Sequence, residues 1–259
     1  MKNKWGMMKK RLLLVLGSLL LAGLGVVLYL KLEGTGPAVS MEGLDAAVRA
    51  AHGIAPDERI LLVLPGSRQG EVGRLAPIFG EALRPVLARH PGLRVVVPAA
   101  LPVAGMLPDL LTKWPGDPVL LDPRGRREDD ALAEKRAAFR AADMALAASG
   151  TVSLELAAAG TPMIIAYDMN WISRTLIARM LKIDTVTLVN IVTGSRAVPE
   201  FLGEACKPAP IAEALLVLLE DEGARQDQIA AGAETMRLLG QGGEAPGLRA
   251  ARAVLDGLR

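Results

Sequence analysis

The sequence predicts an α/β chain: one doubly wound, parallel-sheet domain with C-terminal helices, preceded by a single membrane-crossing helix. Three observations carry this. From Ile60 onward, short apolar runs alternate with stretches of helical spacing, the pattern of parallel strands joined by crossover helices. Gly and Pro interrupt the chain at the junctions, as at Pro65-Gly66, Pro91-Gly92 and Gly160-Thr161-Pro162. Leu12 to Leu30 is nineteen residues without a charge, long enough to cross a hydrocarbon core of about 30 Å as a helix.

The elements follow in order. Residues 1–33 are a basic N-terminus and an uncleaved anchor. The alternative is a cleaved signal peptide, but the run exceeds the roughly 7–15 apolar residues of such a segment, and "GPAVS" is a poor cleavage site. Residues 34–50 read as a linker and 51–259 as the body. Within the body, "ILLVL" (60–64) is a buried strand, and 71–89 is a helix carried by Val72, Leu75, Phe79, Leu83 and Val86. Strands are expected at 93–99 and 118–122, with a helix over 105–114 between them. A charged loop at 124–130 leads to a helix over 131–141 and a strand over 143–148. "AASGTVSLELAAAGTPMIIAY" (147–167) then runs strand, turn, helix, turn, strand, because neither Gly-Thr nor Pro162 suits one continuous element. A helix over 170–182, a strand "VTLVN" (186–190) and helices at about 209–220, 224–239 and 247–258 complete the chain.

Composition removes several classes of function. With His52 and His90 as the only histidines, a zinc site is not expected. The single cysteine, Cys206, precludes an internal disulfide. The net charge is +2, yet Lys2, Lys4, Lys9, Lys10 and Arg11 sit in the first eleven residues, leaving 25 basic against 28 acidic residues in the remainder. That balance is not a nucleic-acid binder's surface.

In an open α/β sheet, ligands bind beyond the carboxyl ends of the strands. Three expected loops lie there. Ser149-Gly150-Thr151 joins a strand to a helix. It is either a phosphate-binding helix start approached closely at Gly150, or an ordinary start capped by Ser149 or Thr151. Glu155, one helical turn later, suits the diol of a ribose, or is simply a solvated residue. In "PGSRQGEV" (65–72), Gly66 makes the turn before Ser67, and Arg68 offers a guanidinium to a phosphate or to solvent. Glu71 pairs with Arg68 or caps the helix. In "LVNIVTGSRAVPEFL" (188–202), Asn190 ends a strand, where its amide recognises a ligand or forms an Asx-turn, and Pro199-Glu200 follow an irregular loop. The helix 170–183 bears Arg174, Arg179 and Lys182 beside Trp171, Leu176 and Met180. It suits a membrane surface, or a core with a basic outer face. "REDDALAEK" (127–135) reads as a solvated helix start rather than a metal motif.

Together "LLVLPGSRQGEV", "ALAASGTVSLELAAAGTPMIIAYDMNW" and "TLVNIVTGSRAVPEFL", in this order, resemble the C-terminal half of lipid-A-disaccharide synthase across roughly residues 50–220. The resemblance implies a Rossmann-like half of a two-domain GT-B glycosyltransferase. Such enzymes move a diacylated glucosamine from its UDP-linked form to a diacylglucosamine 1-phosphate, with inversion and release of UDP, and need no metal and no cofactor beyond the UDP-sugar substrate. It also implies that Ser149, Gly150 and Thr151 hold the pyrophosphate, Gly66, Ser67 and Arg68 the phosphates, Glu155 the ribose or sugar, and Asn190 and Glu200 further parts of the donor. The family's N-terminal acceptor domain is not matched; the apolar segment stands in its place. The expectation is thus a membrane-anchored transferase, or its donor-binding half completed by a separate acceptor-domain polypeptide. The alternative is a non-catalytic module that binds nucleotide sugars or lipid. Basic residues before the span favour a body outside the cytoplasm, whereas the donor chemistry favours the cytoplasmic face of the inner membrane.

Overall fold

The structure, a computed structural model, describes residues 41–168, 185–241 and Asp256. The chain divides into two compact units, Val39–Thr235 and Met1–Ala38 with Met236–Arg259. In the second unit the described residues are few, and Gln241 N–H closes a turn on the Met236 carbonyl at 2.9 Å. The apolar segment 12–30 and the helices expected at 170–182 and 247–258 lie outside the described residues, apart from Asp256 in the last of them. Among the described residues no helix is long and apolar enough to cross a membrane.

The first unit opens with helix α1 (Met41–Ala51), so the expected linker over 34–50 is shortened. Val48 is buried, and Arg49 donates to the carbonyls of Ala55, Glu58 and Ala141, tying α1 to the body. Strand β1 (Ile60–Leu64) is buried throughout and leads to helix α2 (Gln69–Arg89). Strand β2 (Arg94–Pro98) is followed by a 3-10 turn at Leu101–Val103, and helix α3 is only Leu107–Leu111, shorter than expected. After strand β3 (Val119–Leu121), helix α4 (Glu128–Ala141) takes in the end of the expected charged loop. Glu128, Asp129 and Asp130 form its first turn, where the positive end of the helix dipole favours acids.

Strand β4 (Met144–Ala148), helix α5 (Val152–Ala159) and strand β5 (Met163–Tyr167) form the expected unit. Gly160 ends α5 at φ +75°, and Thr161 N–H returns to the Leu156 carbonyl at 3.0 Å, a left-handed helix stop that a β-branched residue would resist. Where a strand was expected over 186–190, the chain instead forms helix α6 (Leu188–Thr193). A short strand β6 (Glu200–Leu202), helix α7 (Pro208–Glu220) and helix α8 (Glu222–Leu238) follow.

The six strands pair in the order β3-β2-β1-β4-β5-β6, all parallel. One sheet face packs Leu61, Val63, Val95, Val97, Met144 and Leu146 with the apolar sides of α2 and α7. The intervening residues Ile60, Leu62, Val96 and Ala145 are equally buried, so both faces are covered, as parallel strands require.

Candidate functional site

The direction of the sheet reverses between β1 and β4. They are direct neighbours, yet β1 leads outward to β2 and β3, while β4 leads the other way to β5 and β6. A crevice beyond the carboxyl ends at such a reversal is where ligands of open α/β sheets bind. The two loops there are Pro65–Arg68 and Ser149–Thr151, each followed by a helix whose start has no side-chain cap. Uncapped starts leave backbone N–H groups and positive dipole ends directed at the same crevice.

Gly150 has φ +155° and an added Cβ would meet nothing within 4 Å. The glycine is therefore a backbone requirement, and the space beside it is open. Ser153 donates both its N–H and its hydroxyl to the Gly150 carbonyl, at 3.3 and 2.9 Å, which shapes the first turn of α5. The turn and helix start expected here form where the sequence puts them.

Glu155 lies in the first turn of α5. It accepts a hydrogen bond from Lys135 Nζ of α4 at 2.7 Å, and that ammonium stands 5.1 Å from the centre of the Phe139 ring. Lys135 belongs to a stretch that reads as a solvated helix, so its partnership has no sequence signal beyond opposite charge. A carboxylate offers about four lone-pair positions, and Lys135 takes one of them.

At the other loop, Arg68 is the N-cap residue of α2 and its side chain is 80% exposed. Its Nη1 donates to Glu71 Oε1 at 2.9 Å. Glu71 is buried, accepts the Ser67 N–H at 3.3 Å through Oε2, and accepts the Tyr167 hydroxyl at 3.2 Å through Oε1. Burial, and then the Glu71 charge, push the Tyr167 phenol above its ordinary pKa. Of the two sequence readings of Glu71, the pairing with Arg68 is met and the helix cap is not, since α2 starts without a side-chain cap and Glu71 reaches the Ser67 N–H just ahead of it. Tyr167 is the residue that sequence reading missed.

The expected position of Asn190 needs correction, and the side chains of both Asn190 and Glu200 are engaged with their own neighbourhood. Asn190 sits in α6 rather than at a strand end, with 0% exposure. Its amide donates to the Val198 carbonyl at 2.9 Å and to Thr185 Oγ1 at 3.3 Å, and its oxygen accepts the Val198 N–H at 3.0 Å. Glu200 accepts the N–H groups of Val186 and Thr187, at 2.9 and 2.6 Å, and the Thr187 hydroxyl. Both side chains hold the α6 region together. Among the described residues no group of three or more His, Cys, Asp or Glu is arranged to hold a metal ion.

The lipid-A-disaccharide synthetase family model matches residues 38–245. The lipid-A-disaccharide synthase of Ruegeria pomeroyi is 57% identical over 213 residues, 82% of this chain and 52% of its own length. That of Rhodospirillum centenum is 44% identical over 208 residues, 80% of this chain and 50% of its own. The chain thus spans about half the length of the curated relatives it matches. Among solved structures, the C-terminal domain of a group 1 glycosyl transferase from Francisella tularensis aligns with a TM-score of 0.50 at 16% identity, covering 78% of this chain and 93% of that one. WaaG, a glycosyltransferase involved in lipopolysaccharide biosynthesis, aligns at 0.50 and 19% identity, covering 82% and 50%. These structural likenesses bear on the fold alone, a Rossmann-like α/β domain.

Proposed function

The chain belongs to the lipid-A-disaccharide synthetase family, and we propose that its body is the donor-binding half of such a glycosyltransferase. The observation that carries this reading is the pair of uncapped helix starts flanking the sheet reversal, one opened by Gly150 and the other bearing Arg68. The proposed donor is a UDP-linked acylated glucosamine and the proposed acceptor a diacylglucosamine 1-phosphate. The Ser149–Thr151 turn takes the pyrophosphate, Arg68 its outer oxygens, and Glu155 the ribose or sugar hydroxyls. As the glycosidic bond breaks, negative charge grows on the departing UDP. N–H groups and a guanidinium fixed beforehand around the pyrophosphate stabilise that charge more than they stabilise the bound donor, which accelerates the reaction. The acceptor's alcohol needs a base, and the full-length relatives' other half is the proposed source of it.

Calorimetric titration of the 259-residue chain with UDP tests the reading. Saturable binding is expected, weakened by about 1.5–3 kcal/mol in Glu155→Ala, as for loss of a charged hydrogen-bond partner. An unchanged dissociation constant in that variant would remove Glu155 from the site. Absence of binding by the wild-type chain would remove the donor site altogether. Binding with no transfer, even in the presence of the other half of a full-length relative, would instead favour a non-catalytic nucleotide-sugar module. Anchoring by residues 12–30 with the body on the cytoplasmic face is part of the same proposal. A body digested by protease added outside sealed, cytoplasm-in vesicles would overturn that orientation.

A further inference from the structure

We propose that Glu71 is a positioning residue of the donor site: it acts through Arg68, fixing the guanidinium and the turn before α2 so that both address the phosphates of a nucleoside diphosphate. The inference rests on the donor-site reading above and extends it to a residue that touches no ligand.

Three partners converge on this one buried carboxylate. Arg68 Nη1 lies 2.9 Å from Oε1, the Ser67 N–H lies 3.3 Å from Oε2, and the Tyr167 hydroxyl lies 3.2 Å from Oε1. Tyr167 ends β5 and Arg68 follows β1, with β4 between them in the sheet. The carboxylate therefore ties together the strand ends on either side of the one that carries Ser149-Gly150-Thr151. Gly66 is shaped by the same group, since at its φ of +120° an added Cβ would lie 2.9 Å from the Glu71 Cβ.

The pair's geometry says what it is for. An ion pair with one partner so exposed contributes little to folding, so holding Arg68 to a single buried carboxylate has its main consequence in orientation. A free arginine side chain must give up rotamer freedom when it grips a phosphate, whereas one already tethered has less to lose. The tether uses Nη1 alone among the five N–H donors of the guanidinium fork, leaving the others for phosphate oxygens.

The test is a double-mutant cycle read by UDP calorimetry on the 259-residue chain. Glu71→Gln is expected to weaken UDP binding about 10-fold when Arg68 is present, and less than about 2-fold in the Arg68→Ala background, the signature of two residues acting as one unit. A residue that merely supports the fold would cost the same factor in both backgrounds, and that result overturns the proposal. So does Glu71→Gln binding UDP as the wild type does. If Glu71→Gln fails to fold, Tyr167→Phe, which frees the carboxylate from its third partner, is measured in the same two backgrounds. A loss of about 3-fold confined to the Arg68 chain is then expected, and no loss, or an equal loss in both, overturns the idea. The failures are distinguishable. No UDP binding by the wild type overturns this proposal together with the donor site. Wild-type binding that Arg68→Ala leaves unchanged overturns the role of Arg68 and Glu71 while leaving the Ser149–Thr151 loop standing.

Discussion

Asn190 makes its three hydrogen bonds with no exposed surface, two of them to the backbone of Val198 eight residues on. Asn190→Ala strands a buried N–H and a buried carbonyl, so a loss of about 2 kcal/mol in urea-unfolding stability is expected, with UDP affinity changed less than about 2-fold. A large loss of affinity at unchanged stability would return Asn190 to the donor site. Cys206 gives a second single-residue test. Burial, and then the charge of Asp168, push its thiol up from 9.0 to about 11. The neutral thiol is the form that the fold favours, so stability linked to this group is intact below pH 9.0 and falls as pH rises toward about 11. At pH 8 its thiolate fraction is about 100-fold below that of an unfolded cysteine. Modification by a thiol reagent is therefore expected to be negligible in the native chain and stoichiometric in urea, and rapid native labelling would contradict the burial. Legibility at this scale follows sequence distance. Arg68 and Glu71 are three residues apart on one helical turn and their pairing can be read directly. Tyr167 reaches Glu71 across 96 residues, and nothing local to "MIIAY" announces a polar contact.

The same rule separates the elements. β1, β4 and β5 are buried apolar runs with turn signals at both ends, and they form where the pattern puts them. "VTLVN" is richer in β-branched residues than any of these strands, yet its last three residues are helical. Glu200 takes the N–H groups of Val186 and Thr187 from outside, and Gly194 accepts the left-handed φ of +66° that closes the helix. Those two features outweigh strand propensity, and the first is invisible until β6 is placed. The docking of α2 against the segment after α3 gives a test of packing between elements. Trp114 donates its indole N–H to the Ala76 carbonyl at 2.9 Å, and a Cβ on Gly80 would come within 2.6 Å of its ring. Gly80→Ala is expected to destabilise by about 1–3 kcal/mol through overpacking despite alanine's better helix propensity. Combining it with Trp114→Leu is expected to cost less than the two singles added, because the clash is gone. Strict additivity in urea melts would mean that the ring and the glycine are not in contact.

For the whole molecule, family and fold were legible because three motif-bearing loops survive in order on a regular α/β frame, and the matched region runs over residues 38–245. Turnover of substrate is a separate question, since the chain spans about half the length of its relatives, 52% in the Ruegeria pomeroyi synthase. A glycosyl transfer needs donor carbon and acceptor oxygen held together, and that proximity accounts for much of an enzyme's rate. It also needs a base for the alcohol, whose absence typically costs about 10²–10⁴-fold. Two carboxylates of the proposed donor site already have partners: Glu155 pairs with Lys135, and Glu71 with Arg68, Ser67 and Tyr167. Neither is placed as a spare base, and Glu200 holds the start of α6. Residues 1–259 alone are therefore expected to bind UDP yet form disaccharide from the two lipid substrates at least about 100-fold more slowly than a full-length relative. Adding the N-terminal half of such a relative is expected to restore turnover if the two halves assemble. Full-rate product formation by the 259-residue chain without any addition would show that base and acceptor pocket both lie within it.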